Sequence, residues 1–126
     1  MNLYRYLLEF PEEFGISPWL IRTEKPSYSD EKRRWESVKI KFVDIVGKEE
    51  KFQEFVRSFS HGLEPYNPPK DFDLTILKID PVGVVAEKWV LKTCNVIDFN
   101  FKELFDRETF DLIAIFQPEY CIIDIH

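Results

Sequence analysis

The stretch that decides the fold runs from Asp80 to Asp124 and reads DPVGVVAEKWVLKTCNVIDFNFKELFDRETFDLIAIFQPEYCIID. Its first four residues, Asp80-Pro81-Val82-Gly83, have the composition of a tight turn, because proline pre-sets φ at the second position and glycine accepts a positive φ. Apolar and β-branched residues run from Val84 to Phe101, a polar stretch interrupts them at 102–108, and a second strand-like run covers Thr109 to Ile125. The pattern predicts one long β-hairpin, and a hairpin of that length needs further strands packed on it to be stable.

The returning strand of this hairpin has two apolar faces. Strict alternation along a strand divides its apolar residues into two sets. One set is Phe110, Leu112, Ala114 and Phe116, and the other is Ile113, Ile115, Cys121 and Ile123. A solvated antiparallel strand would alternate apolar with polar residues instead. Something must therefore cover the second face, either the domain's own helix or a neighbouring subunit.

The length and composition describe a single globular domain over residues 1–126. Hydrophobic residues make up 44% and charged residues 32% of the chain, the balance of a soluble folded protein. Twelve Phe, five Tyr and three Trp suit a small β-rich core that needs bulky side chains. No apolar run approaches the ~20 residues that cross a bilayer, and Met1 to Tyr6 lacks the basic region and cleavage site of a signal peptide. We expect no membrane partner.

The charge of the chain argues against one class of function. A net charge of −6 is unsuited to a nucleic-acid reader, which neutralises phosphates with Lys and Arg. Seven acidic residues stand against Lys102 and Arg107 between Asp98 and His126, while the stretch from Arg22 to Lys51 is mixed and slightly basic. The acidic end and the basic middle could meet between subunits, or both could be solvated surface.

Two cysteines, Cys94 and Cys121, are expected to be free. A hairpin that turns near Phe105 places Cys94 opposite residue 116 and Cys121 nearer to Trp89. The two thiols are then about 17 Å apart along the ribbon, at ~3.4 Å per residue. That separation is too long for a disulfide within the chain. The sequence therefore predicts buried free thiols and a reducing compartment.

Four further strands are predicted from alternation and from turn residues at their ends. They cover Leu3–Phe10, Trp19–Arg22, Trp35–Asp44 and Asp71–Ile79, and the third is expected to point Val38, Ile40 and Phe42 inward. The polar connection Lys25–Arg34 contains no core-forming residue on this interpretation, and it is predicted to be a mobile or partner-ordered loop.

One helix is predicted between Gly47 and His61. Phe52, Phe55, Val56 and Phe59 recur at helical spacing and form one narrow apolar stripe. Acidic residues lie near the positive end of the helix, and Gly62 is placed to end it. Because the stripe is all aromatic or Val, we expect the helix to lie on a sheet. The element order is then β-β-β-α-β-β-β.

A search for catalytic and ligand-binding patterns yields no candidate site. His61 could be imagined beside Ser58, Ser60 or Cys94 as a nucleophile pair, but nothing in the sequence brings them together. The cysteines and histidines lack the spacing of a metal site, and Gly47-Lys48 lacks the other residues of a phosphate loop. The carboxylate pairs are of a kind that any acidic surface provides: Asp71 with Asp73, and Asp98 with Asp111. We predict no catalytic residue, no cofactor, no metal and no enzymatic activity.

From Trp35 onward the chain resembles the tail-tube proteins of contractile-tailed bacteriophages and related injection machines. Four features carry the resemblance in one order: the strand Trp35–Asp44, the helix with Phe52, Phe55 and Phe59, the turn and Trp-centred strand from Leu77 to Leu91, and the aromatic-rich closing strand from Phe110 to Cys121. Upstream, Trp19 to Pro26 is similar to the family's second strand and its proline-containing loop.

The resemblance implies an α+β, mainly β fold: an antiparallel β-barrel or sandwich with one flanking amphipathic helix, at about residues 47–61, and the long C-terminal hairpin. It implies a structural virion protein of the tail, assembled in the host cytoplasm, with six subunits in a ring and rings stacked into a tube. The sheets of neighbouring subunits would join into an inner barrel, the conduit for DNA ejection. The implied partners are further copies of the chain and the sheath, baseplate and tail-terminator proteins, with DNA passing without specific binding.

Ring closure would pair strand edges that are otherwise exposed. An acidic lining suits a DNA channel, because carboxylates repel phosphates and prevent sticking. Placement of Asp98, Glu103 or Asp111 in the lumen is therefore a hypothesis that follows from the resemblance.

Alternative functions stay open. A baseplate hub or tube-initiator protein would share this fold but form a single ring. A monomeric α+β module could instead bind a small ligand in a pocket between the helix and the sheet. An enzyme with Cys94 as its nucleophile ranks last.

Overall fold

A computed structural model describes residues 4–43, 50–58, 69–102 and 111–126. One α-helix, α1 (Glu50–Arg57), and a 3-10 turn (Glu12–Phe14) lie in these ranges together with nine strands. The strands are β1 (Arg5–Glu9), β2 (Trp19–Thr23), β3 (Tyr28–Ser29), β4 (Arg34–Trp35), β5 (Val38–Phe42), β6 (Phe72–Ile79), β7 (Val85–Lys102), β8 (Asp111–Gln117) and β9 (Tyr120–Ile125).

Six of the strands close into an antiparallel barrel. Their order around the barrel is β6-β1-β2-β5-β8-β7, and β7 pairs back onto β6. β9 pairs with the first half of β7 as an additional strand. The predicted α+β, mainly β fold with an antiparallel barrel is confirmed.

The long C-terminal hairpin is confirmed as well. β7 is 18 residues long, and its pairing runs from Lys102 opposite Asp111 to Glu87 opposite Ile125. β8 and β9 are separated at Pro118 and Glu119, where the Glu119 N–H donates to the Lys92 carbonyl over 2.9 Å and keeps the two halves in line. The hairpin tip and the predicted core residue Phe110 lie outside the described residues.

Alternating side chains fill the barrel. Leu112, Ala114 and Phe116 of β8 are fully buried, as predicted for one face of the returning strand, whereas Ile113 and Ile115 on the other face are half-buried. The predicted inward residues of β5 are also buried: Val38, Ile40 and Phe42. β6 contributes Phe72, Leu74 and Ile76 to the same core.

Two irregularities reset the alternation in the middle of the ribbon. Thr93 of β7 has a φ of 53°, and the register between β6 and β7 shifts beside it. Leu91 and Cys94 are therefore both buried although they lie three residues apart. On the returning chain, Pro118 and Cys121 are likewise both buried. The assignment of Cys121 to the same face as Ile113 and Ile115 is wrong, because strict alternation does not hold across this bulge.

The predicted helix over 47–61 is confirmed for Glu50–Arg57, and its remaining residues lie outside the described ranges. Phe52 and Phe55 are buried, as the stripe predicted. Phe52 stacks on Trp19 with ring centroids 4.1 Å apart, and Phe55 meets Phe10 at 5.1 Å. These partners lie where β1 ends and β2 begins. The helix therefore closes one end of the barrel, named here the helix pole, instead of lying flat on a sheet.

The opposite end, the turn pole, carries the connection between β6 and β7. The segment predicted as a polar loop also lies here, because it leaves β2 and enters β5 at this end. Residues 24–37, named here the arm, form a short hairpin in which Tyr28 pairs with Trp35. Pro26 is buried and Trp35 packs against the core, so the prediction that the connection lacks core-forming residues is wrong. Trp35 belongs to the arm, and β5 begins at Val38.

Candidate assembly surfaces

An unpaired strand edge runs along β9. One edge of β9 pairs with β7, and no strand within the described ranges pairs with the other edge. Its side chains are largely apolar, with Tyr120 and Ile122 nearly half exposed. Such an edge is a template for pairing with another chain, and natural proteins pair it, cover it or give it charges. β9 is therefore a candidate surface for assembly.

Exposed aliphatic side chains gather at the turn pole. Val82 is 83% exposed and Val84 is 58% exposed, both in the turn that joins β6 to β7. Ile125, 74% exposed, lies at the same end, because it pairs with Glu87 near the start of β7. Apolar groups that water reaches so fully are a usual mark of a contact surface when they are clustered.

The turn that carries these valines is closed by side-chain and backbone hydrogen bonds. The Asp80 Oδ1 atom accepts hydrogen bonds from the N–H groups of Val82 (3.0 Å) and Val84 (2.9 Å). The Asp80 N–H donates to the Val84 carbonyl over 2.9 Å, and Gly83 takes a φ of 92° that a side chain would strain. The sequence prediction of a tight turn is confirmed, and the valines are held in place on it.

A cluster of charged groups lies beside this turn and ties the arm to the barrel. The Glu87 carboxylate accepts hydrogen bonds from the Lys25 ammonium (2.9 Å), the Lys78 ammonium (3.1 Å) and the Trp89 indole N–H (3.1 Å). The Glu87 side chain is 13% exposed. These donors, Lys25 first, lower the pKa of Glu87 from 4.5 to about 2. Glu87 is therefore ionised at neutral pH and joins the arm to β6 and β7.

Further hydrogen bonds anchor the arm. The Gln117 side-chain amide donates to the Trp35 carbonyl over 2.8 Å, and the Glu36 N–H donates to the Ser27 carbonyl over 2.9 Å. Tyr28 and Trp35 meet edge to face at 5.6 Å. The arm is thus fixed at its base, while its tip, residues 30–34, is exposed.

Glu87, Lys25 and Lys78 were not predicted from the sequence to form a cluster. A signal existed, because Glu87 lies two residues before Trp89 and so shares its inward face under alternation. An acid on an inward position needs compensating donors, which indicates a buried polar cluster.

The basic middle and the acidic end of the sequence lie on different walls of the barrel. Basic side chains project outward from β1, β2 and β5: Arg5, Arg22, Lys39 and Lys41. The exposed acidic residues lie elsewhere: Asp98 on β7, Glu119 between β8 and β9, and Asp124 on β9. Asp73 instead pairs with Lys92 at 2.7 Å and accepts the Thr93 N–H, which lowers its pKa. Glu103 and the Asp111 side chain lie outside the described residues.

Cys94 and Ser58, the nucleophile candidates among the described residues, lack the surroundings of a reactive group. Cys94 is fully buried, its thiol donates to the Leu91 carbonyl over 3.4 Å, and burial raises its pKa to about 12. The Ser58 hydroxyl donates to the Phe55 carbonyl. His61 and Ser60 lie outside the described residues. A protonated, buried thiol is a poor nucleophile.

Both cysteines are free and buried, as predicted. The predicted separation of the two thiols along the ribbon is wrong, because it is too long. Cys94 aligns with residue 118 and Cys121 pairs with Leu91, so the two cysteines are offset by three residues, or ~10 Å. Burial also raises the pKa of Cys121, to about 11.

Two surface depressions are formed by described residues. One, of about 290 Å³, lies on the barrel wall and is bordered by Tyr4, Tyr6 and Arg22 among others. The other, of about 160 Å³, lies between α1 and the 3-10 turn at the helix pole; its lining is Phe14, Ile16, Phe55 and Pro69 together with Lys51, Glu54 and Ser58. Small-molecule sites usually have 300–1,000 Å³. Within the described ranges no group of three or more His, Cys, Asp or Glu side chains is placed to hold a metal.

No helix among the described residues has the length and apolar character needed to cross a bilayer.

Comparison with known proteins finds the same fold in solved structures. No protein-family model matches the chain, and no curated protein matches it in sequence. Solved structures match it over nearly its whole length. The crystal structure of Hcp1 from Salmonella typhimurium superposes with a TM-score of 0.68 at 6% identity, over 98% of this chain and 88% of that one.

Two further matches come from contractile machines. A chain of the sheath-tube complex of an extracellular contractile injection system, PVC, has a TM-score of 0.61 at 12% identity, over 100% of this chain and 92% of that one. A chain of the anti-feeding prophage baseplate has a TM-score of 0.56 at 7% identity, over 98% and 93%. The chain therefore has the fold found in components of contractile injection systems. The resemblance inferred from the sequence is confirmed at the level of the fold.

Proposed function

We propose that this chain is a structural subunit of the tube of a contractile tail or injection system. The observation that carries the proposal is the full-length match: the similarity covers 98–100% of the chain and extends to Hcp1 and to components of two contractile machines. The function rests on this correspondence together with the unpaired β9 edge.

We also propose how copies of the chain assemble. Six copies form a ring, the sheets of neighbours join through edges such as β9, and rings stack into a hollow tube that serves as the conduit for DNA ejection. The baseplate match comes from a six-fold symmetrised structure, which supports the ring order. Pairing of β9 with a neighbour would remove the exposed apolar edge, the usual solution for such a strand.

The proposed partners follow from the same matches, which include sheath-tube, baseplate, cap and terminator structures. The tube would lie inside a sheath, end at a terminator and begin at a baseplate. We propose the virion tail as the location, with assembly in the host cytoplasm. No enzymatic activity, cofactor or metal belongs to this proposal.

A single-ring baseplate or tube-initiator protein is the second candidate, favoured by the baseplate match. A monomeric ligand-binding module ranks below both, because the pocket beside α1 has about 160 Å³ and is smaller than ordinary ligand sites.

Negative-stain electron microscopy of the concentrated protein tests the proposal. Long hollow tubes are expected from a tube subunit. Isolated rings would transfer the function to the single-ring candidate. Monomers at every concentration would contradict both assembly functions and leave the fold in place.

A further inference from the structure

We propose that rings stack through the two ends of the barrel: the rigid Val82–Val84 turn of one subunit inserts into the pocket between α1 and the 3-10 turn of a second copy in the next ring. This inference rests on the proposed tube function and names the residues that would make its ring-to-ring contact. Its occupant is a second copy of this chain.

The first step is the placement of the two surfaces. β6 begins at Phe72, which touches Phe14 and Phe55 beside the pocket with ring centroids 5.5 and 6.4 Å away. β6 ends at Ile79, directly before the turn. Eight residues of strand span about 25 Å. The Val82–Val84 turn, called the knob below, and the pocket therefore lie at opposite ends of one barrel. A contact between opposite ends repeats without closing and builds a stack.

The second step is the apolar match. Val82 is 83% exposed on a turn that Asp80 fixes with two side-chain hydrogen bonds. The pocket has about 160 Å³, and its apolar lining consists of Phe14, Ile16, Phe55 and Pro69, with the polar residues Lys51, Glu54 and Ser58 completing it. A water molecule occupies about 30 Å³ in the liquid, so the pocket volume corresponds to about five water molecules. A valine side chain has only three carbon atoms and fits in this volume. Because the turn is already ordered, little conformational entropy is lost when it docks.

The third step is the charge around each surface. Exposed acids surround the pocket at the helix pole: Glu12, Glu13, Glu50 and Glu54, against Lys51 and Lys70. At the turn pole the arm tip carries Lys32, Arg33 and Arg34 against Asp30 and Glu31, and Lys32 lies 3.8 Å from Glu36. Arg33 and Arg34 have no acidic partner among the described residues. In the stacked arrangement the two arginines reach toward the acidic rim, and opposite charges select this orientation.

A small contact suffices in this setting. Each subunit contributes one knob and one pocket, so a ring of six docks through six equivalent contacts at once, and the contacts reinforce one another.

The test compares tube formation by the wild-type protein with Val82→Asp and with Val82→Leu as the matched apolar control. Electron microscopy counts tubes and rings, and sedimentation gives the mass of what remains in solution. We expect tubes from the wild type and from Val82→Leu, and rings without tubes from Val82→Asp, with the tube fraction reduced at least about tenfold. Val82 is a surface residue, so its replacement leaves the barrel core untouched.

A charge exchange provides a second readout. Arg33→Glu with Arg34→Glu is expected to shorten tubes, and adding Glu12→Lys with Glu13→Lys is expected to restore them. Unchanged tubes from the arginine variant would overturn the assigned place of the arm tip over the acidic rim.

The remaining outcomes separate this contact from the function. Tubes from Val82→Asp as long as those of the wild type would overturn the stacking contact and leave the pocket to another occupant, while the tube function stands. Loss of rings together with tubes would place the knob in a contact within the ring and overturn stacking through it. A wild type that forms neither rings nor tubes would overturn both the contact and the function.

Discussion

Glu87 joins three elements at the turn pole: the arm, β6 and β7. Its carboxylate holds Lys25 of the arm, Lys78 of β6 and the indole of Trp89 within 3.1 Å. Without this anion, the ammonium groups of Lys25 and Lys78 would lose their shared partner at the barrel end. The cluster therefore contributes to holding the arm while Glu87 is ionised, in addition to the hydrogen bonds at the base of the arm.

The stability of the protein is expected to fall in acid through Glu87. The pKa of this group is lowered from 4.5 to about 2, so its contribution is complete above pH 4.5 and is lost as the pH falls toward 2. Glu87→Gln keeps the size and removes the charge. We expect it to lower the free energy of unfolding by about 1 kcal/mol at pH 7, since water reaches the cluster.

Urea unfolding at pH 7 and pH 3 checks this expectation. The variant should lose less stability than the wild type between the two values. Glu31→Gln, at the exposed arm tip, is the control and should behave like the wild type. Equal acid sensitivity of the wild type and Glu87→Gln would contradict the assigned role.

The two thiols are expected to be slow to react. Burial raises the pKa of Cys94 to about 12 and that of Cys121 to about 11, so at pH 8 very few of either are thiolate. A colorimetric thiol reagent should modify the native protein at least about a hundredfold more slowly than free cysteine. In urea both thiols should react quickly. Rapid reaction of the native protein would contradict the buried positions.

Among the elements, β7 depends on a local irregularity. Thr93 has a φ of 53°, which is unfavourable for a β-branched residue, and Asp73 holds it there by accepting its N–H over 3.0 Å. The bulge lets one strand pair with β6 and β9 in its first half and with β8 in its second.

Thr93→Gly is expected to stabilise the protein by about 0.5–1 kcal/mol. The left-handed conformation costs a non-glycine residue about 1–2 kcal/mol, and part of the gain is offset by the greater freedom of glycine in the unfolded chain. Thr75→Gly, in the regular part of β6, is the control and should destabilise instead. Thermal unfolding of both variants checks this, and a destabilised Thr93→Gly would show that the side chain contributes more than the strain costs.

The elements also show what sequence patterns can and cannot predict. Period-two alternation and turn residues predicted the hairpin, the inward face of β5 and the Asp80 turn, because each is a local property of the chain. Alternation failed at Cys121, because a bulge on the facing strand and the break at Pro118 depend on pairing between distant residues. The arm was missed for a similar reason, since Pro26 and Trp35 become core residues only when the barrel end is assembled.

At the scale of the whole molecule, three exposed surfaces are candidates for contact with partners. They are the unpaired β9 edge, the turn pole with its exposed valines and the helix pole with its pocket. The order of the six barrel strands and the helix could be read from the sequence, and so could the resemblance to tube proteins, whereas the two arm strands and the division between β8 and β9 were missed. The Glu87 cluster and the match between the poles could not, because both join residues far apart in the chain.

The proposed function requires that this chain assemble into rings. Sedimentation of the purified protein over a wide concentration range tests it most directly. Six chains of 15.1 kDa predict a particle of about 91 kDa that grows into larger stacks as concentration rises. A single species near 15.1 kDa at every concentration would contradict the account.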